Sequence, residues 1–358
     1  MRICLLTPSI YGMRGDVRSI VNLAGELAER HEVEIISVRR QREKPFFPVA
    51  SGVKLSWVVD ARPGGRYLLP RGQMRTEVAL WRRLRGLRTD VLVSTRPGLG
   101  VQVARHAPRE ITRIAREWGR PPMPGPIRKF YPRLNAVAAA TETSRQEWDH
   151  LLDGNVPVSV IPDALPAGPW PRSRMDNRIV AAGGRLVAAK AHDRLIRAFA
   201  VVAGKRPDWR LRLYGGGPEE KRLRALVGDL DLHNHVYFMG TTSDLTGEFA
   251  KASIVASTSR TEVLGMTVIE AMASGVPVIA FDGPRGPGEL VADGRNGVLV
   301  AEGEDEIEAY ASAMLALIDD ERRRRQLAAG ALEVAAGHGA SSVADRWEKL
   351  IAATSRRA

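Results

Sequence analysis

The sequence predicts an α/β fold of two doubly wound parallel-sheet domains that face each other across a cleft. Three observations support this prediction. Apolar strand-like runs alternate with helical patterns through the first half of the 358-residue chain, the alternation starts again in the second half, and a proline-rich stretch at 162–177 separates the two. Strand–helix–strand alternation is typical of parallel sheets with right-handed crossovers. About 100–200 residues per domain also favours two domains.

The first domain is predicted to span 1–166. Its first strand is expected at 3–6, a continuous apolar run of the kind found in strands buried on both faces. A helix with apolar residues at helical spacing follows over about 16–30. The further strands are predicted at 33–38, 53–59, 91–94, 111–115, 136–140 and 158–161.

The second domain is predicted to span 167–340. Its linker contains Pro162, Pro166, Pro169 and Pro171, and such a segment cannot continue a helix or a central strand. Strands are then predicted at 178–182, 211–214, 236–239, 254–256, 278–280 and 297–300, and helices at 191–202, 218–227 and 265–273. A final helix over 341–358 places four apolar residues on one face: Val343, Trp347, Leu350 and Ile351.

The composition excludes several classes of protein. Hydrophobic residues make up 44% and charged residues 26%, as in ordinary globular chains. Cys4 is the only cysteine, which excludes a disulfide framework and a cysteine-based metal cluster. No run of about eighteen apolar residues is present, and the first residues do not form a secretory signal. We therefore expect a soluble, cytoplasmic protein.

The positive charge is concentrated in the first half. The net charge is +12, and nearly all the excess lies before residue 167, although a GC-rich coding bias toward arginine would also explain it. The sequence predicts an amphipathic helix there whose apolar face comprises Met74, Val78, Trp81 and Leu84. Its remaining surface carries Arg71, Arg75, Arg82, Arg83, Arg85 and Arg88. Two interpretations stay open: the apolar face packs on the sheet, or the helix contacts an anionic membrane or a phosphate-bearing acceptor.

The most informative stretch is EVLGMTVIEAMASGVPVI at 262–279. Gly265 allows a tight turn just before a helix, and the free N–H groups at a helix start favour a phosphate. Glu270 lies about one and a half turns into that helix, where a carboxylate can bind two neighbouring hydroxyls. Glu262 precedes the helix. The spacing suits a diphosphate ligand with a ribose at one end and a sugar at the other.

This stretch resembles glycosyltransferase family 4, whose members carry two acids separated by seven residues and then an Ala-Met-Ala-small-Gly-Val-Pro-Val segment. The resemblance implies a GT-B fold, with two facing Rossmann-like domains and a C-terminal helix that crosses back to the first domain. It also implies sugar transfer from a nucleotide diphosphate donor, with a UDP-sugar favoured, and retention of anomeric configuration without a metal or other cofactor.

Further motifs carry the same resemblance. GGRLVAAKAHD at 183–193 is similar to the element in which Arg185 and Lys190 would hold the donor diphosphate, with Ala191 in place of the usual glycine. YGGGP at 214–218, VYFMG at 236–240 and GPRGPGE at 283–289 resemble other donor-side loops. The resemblance makes Glu262, Arg185 and Lys190 catalytic. It implies donor contacts at Glu270, Gly265, Met266, Thr267, Leu264, Gly216, Met239, Gly240 and Gly15.

The first domain departs from the family pattern in two places and is expected to bind the acceptor. In YGMRGDV at 11–17, Gly15 fits the family's glycine loop, but Asp16 replaces its second glycine. In IAREWGR at 114–120, Trp118 stands where many members have a histidine that faces the transferred sugar. Glu117, Trp118 and Asp16 are therefore candidates for the acceptor or sugar pocket.

The sequence also predicts no metal site. The seven His residues form no cluster with ligand spacing, and Asp229-Leu230-Asp231 falls at a helix end rather than after a strand. The positive end of a helix dipole, with Arg185 and Lys190, would then stabilise the departing diphosphate instead of a metal.

Three other functions are alternatives to sugar transfer. A nucleotide-sugar epimerase of the same fold is the main alternative, although the acid pair at 262 and 270 disfavours it. A dinucleotide oxidoreductase would need a G-x-G-x-x-G loop, which the sequence lacks. Nucleic-acid binding is disfavoured because the basic residues are scattered and aromatic residues amount to 6%. The function predicted is transfer of a sugar to a hydroxyl of a small molecule, natural product or cell-envelope glycan precursor.

Overall fold

The computed structural model describes residues 1–62, 73–283 and 286–355. Arg71, from the predicted amphipathic helix, and the Pro284-Arg285 pair of the predicted turn at 283–289 lie outside the described residues. The chain divides into two compact units. One comprises Met1–Ala167 together with Gly339–Ala358, and the other is Gly168–His338.

The described strands of the first unit form one parallel sheet in the order β3-β2-β1-β4-β5-β6-β7. Residues 3–7 of β1, an interior strand of this sheet, are all buried, as expected for a strand covered on both faces. The strands are β1 (Arg2–Thr7), β2 (Glu32–Arg40), β3 (Val53–Asp60), β4 (Val91–Ser94), β5 (Thr112–Glu117), β6 (Ala136–Ala139) and β7 (Val158–Val160). Glu117 is the last residue of β5, so the predicted end of this strand at 115 was two residues short.

Helices cover this sheet. They are α1 (Gly15–Ala28), α2 (Gln73–Arg85), α3 (Pro97–His106), α4 (Pro124–Phe130) and α5 (Glu142–Leu152), with a 3₁₀ turn at Tyr131–Arg133. In α1, Val17, Ile20, Val21, Ala24 and Leu27 are buried, which is the 3.6-residue pattern seen in the sequence.

The second unit repeats the arrangement. Its described strands form a parallel sheet in the order β10-β9-β8-β11-β12-β13. The strands are β8 (Ile179–Gly183), β9 (Arg210–Tyr214), β10 (Val236–Gly240), β11 (Ile254–Ser257), β12 (Val278–Asp282) and β13 (Gly297–Ala301). The helices are α6 (His192–Lys205), α7 (Glu220–Asp229), α8 (Leu245–Phe249), α9 (Met266–Ala273), α10 (Pro287–Leu290), α11 (Glu306–Asp319) and α12 (Glu321–Ala336), with a 3₁₀ turn at Ala188–Lys190.

The last helix, α13 (Ala340–Ser355), belongs to the first unit. Val343, Trp347, Leu350 and Ile351 are buried. Arg30, just after α1, forms ion pairs with Asp345 and Glu348 on α13, each at 3.0 Å. The predicted return of the final helix to the first domain is confirmed, because α13 groups with the first unit and its apolar face is buried.

Helix α2 differs from the prediction. Leu84 is buried and so is Leu80, and both belong to the core of the first unit. Met74, Val78 and Trp81 are instead exposed, by 82%, 46% and 38%. The interpretation that the whole apolar face of Met74, Val78, Trp81 and Leu84 packs on the sheet was therefore wrong, because only Leu84 at its edge is buried. The helix is rotated so that Leu80 and Leu84 meet the sheet.

None of the helices in the described ranges has the length and apolar character needed to cross a bilayer.

Candidate functional site

The carboxyl ends of β8, β9 and β10 are joined through loops that contain glycine. The N–H of Gly184 donates to the carbonyl of Tyr214 at 2.9 Å, and the N–H of Gly215 donates to the carbonyl of Gly240 at 2.7 Å. Gly215 has φ +146°, and a Cβ on it would lie 1.8 Å from the carbonyl oxygen of Gly184. Only glycine allows backbones to approach this closely. The contact brings the motif at 183–193 directly against the motif at 214–218.

Lys190 and Glu262 form an ion pair across 72 residues of sequence, between Nζ and Oε2. Both side chains are largely buried, at 17% and 19% exposure. The Ser259 hydroxyl donates to the same Glu262 oxygen at 3.3 Å. The structure thus brings together two of the three residues predicted to be catalytic.

Close backbone packing supports this pair. A Cβ on Gly184 would lie 3.2 Å from Cε of Lys190, so the lysine stem lies over the glycine loop. A Cβ on Gly286 would lie 2.6 Å from Cβ of Glu262. Ala191 has φ +47°, in the left-handed region that favours glycine. This conformation accounts for the glycine that the family pattern has at this position.

Helix α9 starts next to Glu262. Gly265 has φ +81°, and a Cβ on it would lie 3.4 Å from Cγ of Glu262. Leu264 and Met266 are buried, and Thr267 is half-buried. Glu270, the fifth residue of α9, is 2% exposed. Its role as a ribose ligand stays a prediction.

The remaining predicted donor residues are more accessible. Arg185 is exposed, and its guanidinium forms no ion pair with any residue in the described parts of the chain. Met239 and Gly240, at the end of the edge strand β10, are also exposed, while Gly216 is half-buried. Their donor contacts stay predictions.

His192 was missed by the sequence reasoning. It is the first residue of α6 and is buried. Burial lowers the pKa of His192 to about 4, and the neighbouring Lys190 ammonium also lowers it. The imidazole is therefore neutral near pH 7. Its place two residues after Lys190 was the available sequence signal.

A second polar cluster lies at the carboxyl edge of the first sheet. Gly15 begins α1, and Asp16 follows it. Arg14 binds the Asp16 carboxylate with two hydrogen bonds, from Nε at 2.9 Å and from Nη2 at 2.6 Å. Arg96, two residues after β4, donates to the same carboxylate. Arg14 and Arg96 were not predicted, although a polar residue just after a parallel strand is itself a signal for a site.

Trp118 is held by this region. Its indole N–H donates to Asp163 at 2.8 Å, and Arg116 donates to the same carboxylate at 2.8 Å. The guanidinium carbons of Arg96 and Arg116 lie 5.7 and 5.0 Å from the ring centroid. The indole is therefore fixed by one carboxylate and two cations.

Glu117 is turned into the protein interior and is 1% exposed. Its carboxylate accepts a hydrogen bond from the Tyr131 hydroxyl at 2.6 Å. Burial raises the pKa of Glu117 to about 8, partly opposed by the bond from Tyr131 and by the Arg96 and Arg116 cations. Contact of Glu117 with a sugar stays a prediction.

No three His, Cys, Asp or Glu side chains within 1–62, 73–283 and 286–355 approach closely enough to bind a metal ion together. Asp229 and Asp231 are exposed at the end of α7, as the sequence predicted.

Two Rossmann-like units with parallel sheets, and a last helix that belongs to the first unit, define a fold of the GT-B type. The fold is similar to that of Anabaena HepE, whose structure was solved in complex with UDP-glucose. The TM-score is 0.74 at 19% identity, over 99% of this chain and 100% of that one.

Residues 171–334 match the family model of glycosyl transferases group 1. The chain is 32% identical over 370 residues to an exopolysaccharide phosphotransferase of Streptomyces coelicolor, over 94% of this chain and 39% of that protein. It is also 34% identical over 210 residues to the GDP-mannose-dependent alpha-(1-6)-phosphatidylinositol monomannoside mannosyltransferase of Mycolicibacterium smegmatis. That match covers 54% of this chain and 52% of the mannosyltransferase.

The chain spans about two fifths and about half of the lengths of these two relatives. The matches support the group 1 family of glycosyl transferases. They give no support to the epimerase alternative.

Proposed function

We propose that this chain is a glycosyltransferase of family 4 that moves a sugar from a nucleotide diphosphate donor to an acceptor hydroxyl. The observation that carries the proposal is the Lys190–Glu262 pair beside the packed glycine loops. It lies within the segment that matches the group 1 family. A cation held at such a sheet edge suits a diphosphate leaving group.

The donor diphosphate is assigned to Lys190 and Arg185. Negative charge grows on it as the sugar departs, so cations there lower the barrier more than they strengthen ground-state binding. Glu262 holds the Lys190 ammonium in place and is assigned to the sugar. Glu270 is assigned to the ribose hydroxyls.

Bond changes in the proposed reaction balance without a further reagent. The bond between the anomeric carbon and the diphosphate oxygen breaks, and its electron pair leaves with the nucleotide. The acceptor oxygen forms the new bond on the same face of the sugar. Its proton passes to the departing phosphate oxygen, so no enzyme nucleophile is required.

Calorimetric titration with UDP, GDP, NAD and an oligonucleotide tests the donor assignment. UDP or GDP should bind, and NAD and the oligonucleotide should not. Loss of one charge-assisted hydrogen bond costs about 1.5–3 kcal/mol, so Glu270→Gln should weaken binding about ten- to a hundredfold. Lys190→Met should lower turnover more than affinity.

Lys251→Met is the matched control, because Lys251 also pairs with a glutamate in the second unit but on the surface, at 2.7 Å from Glu248. Equal nucleotide binding by the wild type and the Glu270 variant would contradict the site. Mass spectrometry of reactions with a panel of UDP- and GDP-sugars would identify the donor. The anomeric configuration of the product would test retention.

The proposed mechanism needs no metal. Transfer in excess EDTA should therefore equal transfer with magnesium, apart from product release. A loss of activity with EDTA that manganese restores would contradict this part of the proposal.

Peripheral contact with an anionic membrane is proposed for α2. Its exposed stripe of Met74, Val78 and Trp81 lies beside the exposed Arg82 and Arg85. The Arg85 guanidinium carbon lies 5.2 Å from the Trp81 ring centroid. Apolar residues flanked by arginine suit the boundary between headgroups and acyl chains.

Sedimentation with anionic vesicles at low salt tests this contact. Changing Arg82 and Arg85 together to Gln should abolish binding, whereas the same change at Arg222 and Arg224 on α7 should not. Arg83 is left intact because it pairs with Glu34 at 2.8 Å. A wild-type chain that stays in the supernatant would contradict membrane contact. That result would favour a small soluble acceptor instead.

A further inference from the structure

The two positions at which the first domain departs from the family pattern are connected in space. These positions are Asp16 and Trp118, where the resemblance to family 4 implies a glycine and a histidine. Arg96 joins them, since it donates to the Asp16 carboxylate and its guanidinium lies 5.7 Å from the Trp118 ring centroid.

The cluster carries a net positive charge. Asp16 supplies one negative charge, while Arg14 and Arg96 supply two positive charges. Arg116 and Asp163 are both buried and balance each other. Glu117, whose pKa is raised to about 8, is largely protonated at neutral pH and leaves this balance unchanged. One positive charge is therefore uncompensated.

The two arginine side chains are more exposed than the Asp16 carboxylate between them. The side chains of Arg14 and Arg96 are 41% and 38% exposed, while that of Asp16 is 11% exposed. A guanidinium has five N–H donors in a planar fork. Asp16 uses two nitrogens of Arg14 and one of Arg96. Each arginine thus retains donors for another acceptor.

We propose that Arg14 and Arg96 bind an oxyanion, a phosphate ester or a carboxylate, on the acceptor. Two guanidinium forks present the donor geometry that such a group accepts, and a singly charged oxyanion neutralises the cluster. Asp16 and Trp118 are positioning residues, because they hold the planes of the two guanidinium groups. The inference rests on the proposed function for its assumption that the first unit binds the acceptor.

Binding of glycerol 3-phosphate to the full chain tests the inference directly. Calorimetry or NMR titration should give binding that weakens about tenfold or more in Arg14→Gln and in Arg96→Gln, the effect of losing a charge-assisted hydrogen bond. Lysine at either position should recover part of the affinity, because it keeps the charge but not the fork. Glucuronate and neutral glycerol as further probes separate phosphate, carboxylate and uncharged ligands.

Arg30→Gln is the matched control. Arg30 follows the other end of α1, is also 41% exposed and also forms ion pairs with carboxylates. Its substitution should leave glycerol 3-phosphate binding unchanged. Absence of binding to the wild type, or equal binding by all variants, would overturn the inference.

UDP titration of the same variants separates this inference from the proposed function. If UDP binds all of them equally and only the oxyanion probes lose affinity, the pair belongs to the acceptor. If UDP affinity falls with Arg14→Gln or Arg96→Gln, the pair belongs to the donor and the inference is wrong. If UDP does not bind the wild type, the proposed function fails while the oxyanion site is judged on its own titrations.

Discussion

The buried carboxyl group of Glu117 should make the stability of the first unit depend on pH. Glu117 accepts a hydrogen bond from Tyr131 at 2.6 Å, and both side chains are buried. The Tyr131 ring is itself tightly packed, because a Cβ on Gly100 would lie 2.2 Å from its hydroxyl oxygen. Burial raises the pKa of Glu117 from 4.5 to about 8. The native state therefore favours the neutral acid.

The sign of the effect follows from proton binding. Between pH 4.5 and about 8, the folded state keeps a proton that the unfolded chain has lost. The contribution of Glu117 to stability is therefore fully present below pH 4.5 and is lost as the pH rises through 8. Each pH unit in this window is worth about 1.4 kcal/mol. From pH 5 to pH 7 the loss amounts to about 3 kcal/mol.

Glu117→Gln tests this reasoning. The amide oxygen can still accept from Tyr131, but the side chain carries no charge at any pH. The free energy of unfolding of the variant, relative to the wild type, should rise by about 3 kcal/mol between pH 5 and pH 7. Urea unfolding followed by tryptophan fluorescence measures it, since Trp148 stacks on Tyr131 with ring centroids 5.4 Å apart.

Glu142→Gln provides the control in the same unit. Glu142 is exposed, and its hydrogen bond with Arg145 holds its pKa below the usual range. Its substitution should not produce a stability gain that grows with pH. A constant difference between Glu117→Gln and the wild type from pH 5 to pH 7 would refute the assignment of a raised pKa.

Two further outcomes are expected. Gly215→Ala should destabilise the second unit by about 1–3 kcal/mol and weaken UDP binding, because the new Cβ would lie 1.8 Å from the Gly184 carbonyl oxygen. Thermal unfolding measures the change in stability, and calorimetry measures UDP binding. Unchanged binding would contradict the loop packing. Gly204→Ala is the control, since nothing lies within 4 Å of a Cβ there. Trp347→Ala should lower the free energy of unfolding in urea by about 3–5 kcal/mol, because the indole is buried. Lys349→Ala, on the exposed side of α13, should change it little. A Trp347 variant as stable as the wild type would contradict the packing of α13.

Much of the fold could be predicted from local pattern. Every strand in the described ranges overlaps a predicted one, because buried parallel strands are short apolar runs bounded by turn residues. The spacing of Val343, Trp347 and Leu350 likewise predicted the buried face of α13. Glu262, Gly265 and Glu270, which are predicted to bind the donor, lie on one stretch that runs from the loop after β11 into α9. Their spacing along the chain therefore already predicted a single site.

Contacts between distant segments were decided only by the tertiary structure. Lys190 meets Glu262 across 72 residues, and Arg96 meets Asp16 across 80. The sequence predicted roles for Lys190, Glu262 and Asp16 but none for Arg96. It could not show which loops would lie together, because that depends on strand order in the sheet.

Helix α2 shows the same limit. Periodicity alone predicted a broad apolar arc on this helix. In the structure, Leu80 and Leu84 are buried in the core, whereas Met74, Val78 and Trp81 are exposed to solvent. Local spacing therefore determined which elements form and where their polar ends lie. The partners of those ends, and the rotation of each helix, were set by the packing of elements far apart in the chain.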